Sequence, residues 1–202
     1  MRVPLMISGA LAMVVFCMSY MTMAADTNLD FTVLNSLEKD FEVAFGDPAS
    51  WSSKGGVIQC TGSPNGYIVT KKSYSNYVLL VDIRFPEQAG NTGILNYIAG
   101  EHKIWPACVE VQGLYERVAQ IFAMGGAKGP RSDGDEQARK AARKPHREWN
   151  TLSVTSRDGV ISAKLNDVVI GKAGPYAVHN GPIGFQSEGA PVHFRNIRIK
   201  EL

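Results

Sequence analysis

From Phe41 onward the chain alternates short apolar runs with turn-forming clusters. The runs are rich in Val, Ile, Tyr and Phe, and Gly, Pro, Asn, Asp and Ser gather between them. They span Gly56–Thr61, Gly66–Thr70, Tyr77–Phe85, Gly93–Ile98, Cys108–Gly113, Val118–Met124, Trp149–Ser156, Val160–Leu165, Val168–Lys172, Gly181–Gln186 and Val192–Lys200. Runs of this length and composition predict strands. Asn166-Asp167, set between Val160–Leu165 and Val168–Ile170, predicts a tight hairpin. No segment keeps an amphipathic helical period over three turns. Many short, regularly spaced strands predict an all-β sandwich or barrel, in one domain without internal repeats. Two stretches fall outside the pattern. Thr27–Lys39 is mixed, with room for a short helical turn. Gly125–Arg147 carries Lys128, Arg131, Arg139, Lys140, Arg143, Lys144 and Arg147 against Asp133, Asp135 and Glu136, too polar for a core strand. It reads as a solvated loop with a helical turn at Glu136–Arg143, in preference to a specific anionic site.

Period-two alternation assigns faces to the strands. In Val81–Phe85 the apolar residues take one face, and Asp82 and Arg84 the other. In Val109–Gln112 the valines point inward, opposite Glu110 and Gln112. Ile183 and Phe185 oppose Gln186 and Glu188, and Val192 and Phe194 oppose His193 and Arg195. Ordinary solvent-facing polarity accounts for such pairs in an antiparallel sheet. Yet Asp, Glu, Gln and Arg make directional hydrogen bonds, which suit sugar hydroxyls that want donor and acceptor together. Trp105, Tyr97, Tyr67 and Trp51 supply aromatic faces for a sugar ring. On the strand pattern alone, a sugar-binding concave sheet and a plain polar surface both stand.

The N-terminus changes the accounting. Arg2 precedes an uncharged, almost wholly apolar run from Leu5 to Met23, ending in Thr22-Met23-Ala24-Ala25. This is the pattern of a secretory signal peptide over residues 1–25. The run approaches the roughly 20 residues that span a bilayer, so an uncleaved anchor is the competing reading; the small-residue ending favours cleavage. A lipidated Cys17 is disfavoured by the bulky Phe16 before it. The expectation is a secreted or periplasmic domain over residues 26–202 with no membrane span. Without residues 1–25 the formal net charge falls from +2 to +1. That is no footprint for nucleic acid. Cys60 and Cys108 remain; an oxidising compartment permits pairing, while strand-like surroundings equally suit buried free thiols.

Several motifs then line up in order. They are Cys60-Thr61-Gly62-Ser63-Pro64-Asn65-Gly66-Tyr67-Ile68-Val69-Thr70, Asp82-Ile83-Arg84-Phe85 with Gly90-Asn91-Thr92-Gly93-Ile94, and Trp105-Pro106-Ala107-Cys108-Val109-Glu110-Val111-Gln112. Lys144-Pro145 with Glu148-Trp149-Asn150, Gly181–Gly189 and Phe194-Arg195-Asn196-Ile197 follow. Together they resemble the 3-keto-disaccharide hydrolase domain family over about residues 50–202. The resemblance implies a concanavalin A-like jelly-roll of two antiparallel sheets with a concave sugar groove. It also implies cleavage of glycosides already oxidised at C3, whose ketone acidifies the C2 proton so that the glycosidic oxygen leaves by elimination. The chain departs from the family pattern at Thr92, Arg147 and Glu188, where Ser, Gly and His are usual, and most of all over Leu114–Phe122.

Elimination needs a base and an acid in the groove. Glu110, mid-strand between valines, is the first candidate for the base or a metal-coordinating carboxylate. A buried carboxylate paired with Arg84 as structural glue is the alternative. Glu188 is the second candidate, as acid or water activator. Arg84 is expected to orient Glu110 or to polarise the ketone oxygen. Gln112 and Gln186 would hold hydroxyls, with Trp105, Tyr97, Asn91, Asp82, His102 and Lys103 as further substrate contacts. No His stands at zinc-binding spacing from a Cys. Calcium suits the fold, but no acidic loop signals it, so no cofactor is expected. The partner expected is carbohydrate, turned over by an enzyme or held by a lectin-like module.

Overall fold

The computed structural model describes residues 31–202, so the expected signal peptide lies outside the described residues. In chain order the strands are β1 (Thr32–Val33), β2 (Phe41–Phe45), β3 (Trp51–Lys54), β4 (Val57–Cys60), β5 (Gly66–Tyr74), β6 (Tyr77–Arg84) and β7 (Gly93–Ala99). They continue as β8 (Ala107–Gln112), β9 (Ile121–Met124), β10 (Asn150–Arg157), β11 (Val160–Leu165), β12 (Val168–Ala173), β13 (Gly181–Ser187) and β14 (Val192–Glu201). Two short helices, α1 (Leu37–Asp40) and α2 (Glu136–Ala142), interrupt them. A six-stranded front sheet runs β2-β5-β13-β7-β8-β9, and an eight-stranded back sheet runs β12-β11-β10-β6-β14-β4-β3, with β1 on β14. The result is the expected all-β jelly-roll sandwich of two antiparallel sheets. Among the described residues, no helix is long and apolar enough to cross a membrane.

The inward faces fall where alternation puts them. Val109, Val111, Ile183 and Phe185 of the front sheet meet Val81, Ile83, Val192 and Phe194 of the back sheet in one core. Phe185 packs edge-on against Phe194 across the sandwich, ring centroids 5.4 Å apart. Each such ring gains roughly 2–3 kcal/mol from burial. Among the buried polar contacts that cross the core, Tyr77 donates to Asn96 Oδ1 at 2.6 Å.

The structure adds strands that the sequence pattern did not predict. In β3 only Trp51 is buried, so Trp-Ser-Ser-Lys carries no alternation to detect. Trp51 stacks on Phe194 inside the sandwich and is no sugar platform. The strand expected from Val118 starts at Ile121 instead, because Gln120 N–H bonds Arg117 C=O and Ala119 takes φ 68°, closing a turn. The helical turn expected near Glu136 is α2, capped by Asp135 on the Ala138 N–H. Its Arg139 is buried and donates to the Val118 carbonyl at 2.7 Å, so this part of the basic segment is a structural pin. Cys60 and Cys108 are free thiols. Cys60 faces the core from the back sheet, while Cys108 joins a separate apolar cluster of the front sheet.

Candidate active site

The outward face of the front sheet brings together four residues from distant parts of the chain. Glu110 lies on β8, opposite Leu95 of β7 and Phe122 of β9. Gln186 lies on β13, opposite Tyr67 of β5. Between β13 and β8 runs β7, and its outward position here is Gly93. A Cβ at 93 would sit 2.3 Å from Gln186 Oε1 and 2.4 Å from Glu110 Oε1. The glycine therefore leaves the hollow over β7 that both side chains enter. Asn91 and Glu188 meet at the adjoining end of the sheet through an isolated backbone bridge, just before β7 and just after β13.

These groups are buried without being satisfied. Glu110 is 3% exposed and Gln186 2%. Among the described residues, Glu110 Oε1, both polar atoms of the Gln186 amide and Asn91 Oδ1 have no hydrogen-bond partner. Each bare buried polar atom costs about 1–3 kcal/mol. Most buried polar groups in native proteins do find partners, so several bare ones around one hollow mark a place where a ligand or water completes the bonding.

The electrostatics agree. Burial, reinforced by the charge of Glu188, pushes the Glu110 carboxyl up to about 8. Burial also raises Glu188, against the opposing hydrogen bond from Asn91. Two carboxyls that influence each other titrate as a pair. Burial is the largest influence on both carboxyls and acts most on the drier Glu110, which holds its proton near neutral pH.

The loop from Gly100 to Pro106 forms one wall. Tyr67 OH lies 3.0 Å from His102 Nδ1 and accepts the Lys103 backbone N–H; burial pushes its phenol up to about 12. His102 and Lys103 thus stand beside the row that holds Gln186, with Trp105 exposed further along the loop. The Tyr67 hydroxyl link was not read from sequence, because nothing local pairs positions 67 and 102. Gln112 is only partly available: its Oε1 accepts the Leu114 N–H at 2.7 Å and staples the turn after β8. Among the described residues, no group of three or more His, Cys, Asp or Glu side chains is placed to hold a metal ion.

Three expected site residues lie elsewhere. Arg84 and Asp82 point outward, as alternation requires, but from β6 of the back sheet, across the sandwich from Glu110. Arg84 donates to His193 Nδ1 at 3.3 Å and lies 4.5 Å from the Trp149 ring. Asp82 accepts from Thr151, Asn196 and Arg195. Tyr97 is in the core, bonded to Ser156. Its φ of 59° breaks the alternation of β7, turning Tyr97 inward and sending Ile98 to the outer face.

A profile of the 3-keto-alpha-glucoside-1,2-lyase-like domain matches residues 35–200. The chain belongs to that family. Solved structures agree on the fold. A candidate glycosyl hydrolase from Parabacteroides distasonis is 22% identical, over 85% of this chain and 99% of that one, with a TM-score of 0.66. The carbohydrate-binding module CBM66 from Bacillus subtilis is 13% identical, over 81% and 96%, with a TM-score of 0.61. A Bacillus licheniformis β-glucanase is 10% identical, over 85% and 97%, with a TM-score of 0.54. No protein of curated function matches the sequence. The chain thus has the 3-keto-alpha-glucoside-1,2-lyase-like domain on a jelly-roll shared by glycosidases and sugar-binding modules.

Proposed function

We propose that this protein cleaves glycosides oxidised at C3 of the sugar, by elimination across C1 and C2 on the outer face of the front sheet. The observation that carries the reading is the Glu110–Glu188 pair around bare, buried Gln186. A ketone at C3 makes the C2 proton acidic, and the reaction then needs one base, one acid and a donor for the developing oxyanion. Glu188, acting as a carboxylate, takes the C2 proton. The C2–H electron pair forms an enolate whose charge sits on the C3 oxygen, where the Gln186 amide N–H stabilises it. As the carbonyl reforms, the C1=C2 double bond closes and the C1–O bond breaks. Glu110 gives its proton to the departing oxygen. The products are an unsaturated 3-keto sugar and a free alcohol; water adding across C1=C2 gives the 3-keto sugar. This exchanges the two roles expected from sequence, because burial leaves the proton on Glu110. Residues 1–25 act in this reading as an export signal, delivering the domain to an extracytoplasmic glycan.

Two measurements test it. Incubated with a 3-keto-glucoside and with its unoxidised parent, the protein is expected to release the alcohol from the keto form alone. Release from both, or from neither while the sugar still binds, would overturn the proposal, the second result leaving a binding module. The pH profile carries a sign. Glu110 must be protonated to act, so kcat/KM is expected to fall as pH rises through about 8, roughly tenfold per unit beyond it. A rate that climbs through the same range would reject Glu110 as the acid.

A further inference from the structure

The back sheet has a polar face of its own, which the chemistry of the front sheet does not use. Ser52 of β3 stands opposite Gln59 of β4, Gln59 opposite His193 of β14, and His193 opposite Arg84 of β6. All four side chains point away from the core, since Trp51, Ile58, Cys60, Ile83, Val192 and Phe194 beside them point in. Strands lie about 4.8 Å apart, so the row is roughly 14 Å long, the scale of a short oligosaccharide. At its Arg84 end stands Trp149, its ring between Arg84 and Arg195 at 4.5 and 4.1 Å. Above the other end lies a mainly polar recess of roughly 420 Å³, whose lining includes Ser52, Gln59, Thr61, Glu87 and His193.

The hydrogen-bonding capacity of the row is fixed in direction. Arginine only donates, so the Arg84 Nε–H makes His193 Nδ1 the acceptor. Burial and the Arg84 charge keep this imidazole neutral by lowering its pKa. The remaining proton is then on Nε2, which can donate to a ligand. Gln59 offers an amide, Ser52 a hydroxyl, and neither side chain has a partner among the described residues. The two guanidiniums differ. Arg195 is paired with Asp82 at 3.2 Å, whereas Arg84 has no carboxylate partner among the described residues.

We infer that this row is a second, non-catalytic glycan site, taking a short oligosaccharide whose hydroxyls lie on Ser52, Gln59 and His193 and whose carboxylate lies on Arg84. The ligand class is an acidic glycan containing a uronic acid. The site is independent of the front-sheet reaction and stands whether or not that reaction is elimination.

The test is titration of the whole protein with tri-galacturonate, with maltotriose as a neutral control, followed by calorimetry and by amide chemical shifts. Saturable binding of tri-galacturonate is expected, weakened by added salt, with shifts at Gln59 and His193. His193→Ala and Gln59→Ala should each weaken it roughly tenfold while leaving the melting temperature and turnover at Glu110 unchanged. Gln59 is a half-buried surface side chain, so its variant guards against a His193→Ala protein that fails to fold. Absence of saturable binding, or binding that neither variant weakens, would overturn the site. Equal binding of maltotriose would overturn the acidic-group assignment, and loss of turnover in both variants would overturn its independence from the front sheet.

Discussion

Glu110→Gln is expected to lose roughly a thousandfold in kcat/KM on an alkyl 3-keto-glucoside and no more than about tenfold on the 4-nitrophenyl equivalent. Glu188→Gln is expected to lose roughly a thousandfold on both. The size follows from general acid–base catalysis, which contributes about 10²–10⁴ per group. The contrast follows from the roles. An alkoxide is a poor leaving group and needs the proton that Glu110 holds, whereas nitrophenolate leaves unaided. The C2 proton has to be removed in either case, and only Glu188 removes it. Glutamine at 110 fills the same space beside Gly93 and Gln186, so a structural effect would strike both substrates equally. Steady-state kinetics on the two substrates read the difference directly. The reverse pattern, with Glu188→Gln rescued by the better leaving group, would give Glu110 the base's part.

The fold was legible because its strands obey period-two alternation almost everywhere. Val109 and Val111 went inward and Glu110 outward, as a half-buried antiparallel sheet demands. The site was legible only in part, for a reason built into that signal. Alternation assigns a side chain to a face of its own strand but does not say which sheet the strand joins. Arg84 and Glu110 both point outward, yet β6 and β8 belong to opposite layers, so the expected ion pair faces two different solvents. Where alternation itself breaks, the reading fails outright. Tyr97 follows four regularly alternating residues, and only a backbone in the left-handed region, invisible in the residue type, turns it into the core.

What the sequence marked and the structure explains is Gly93. It sits in Asn91-Thr92-Gly93-Ile94, one of the segments resembling the family. Its role is negative space: without a Cβ, the hollow over β7 admits the Glu110 carboxyl and the Gln186 amide together. Thr92 supports it by donating to the Gln186 backbone carbonyl at 2.7 Å, tying the loop ahead of β7 to β13. No pattern of hydrophobicity reports such a vacancy, because it is defined by residues near in space and far in sequence.

The second large effect is on stability, and it has the opposite sign to the loss of activity. Glu110→Gln is expected to raise the melting temperature by roughly 10 °C at pH 8 and by little at pH 5. The carboxyl is pushed up to about 8 in the folded protein from an ordinary value of 4.5. Below about 4.5 it is neutral in both states, and its burial carries no charge penalty. As pH rises from 4.5 to 8, the unfolded chain releases this proton while the folded chain retains it. Folded stability therefore drops across that window, on the order of 4 kcal/mol at about 1.4 kcal/mol per pKa unit. For a domain of this size, 1 kcal/mol corresponds to about 2–4 °C. Glutamine is nearly isosteric and does not ionise, so the variant escapes the drop. Melting curves at pH 5, 6.5 and 8 should show the gap opening with pH; a gap that is constant, or that closes, would mean Glu110 is not held protonated. A carboxyl kept dry beside an unsatisfied amide is a stability cost that a purely structural residue would not carry, and its persistence is what a site built to hold a reactive proton requires.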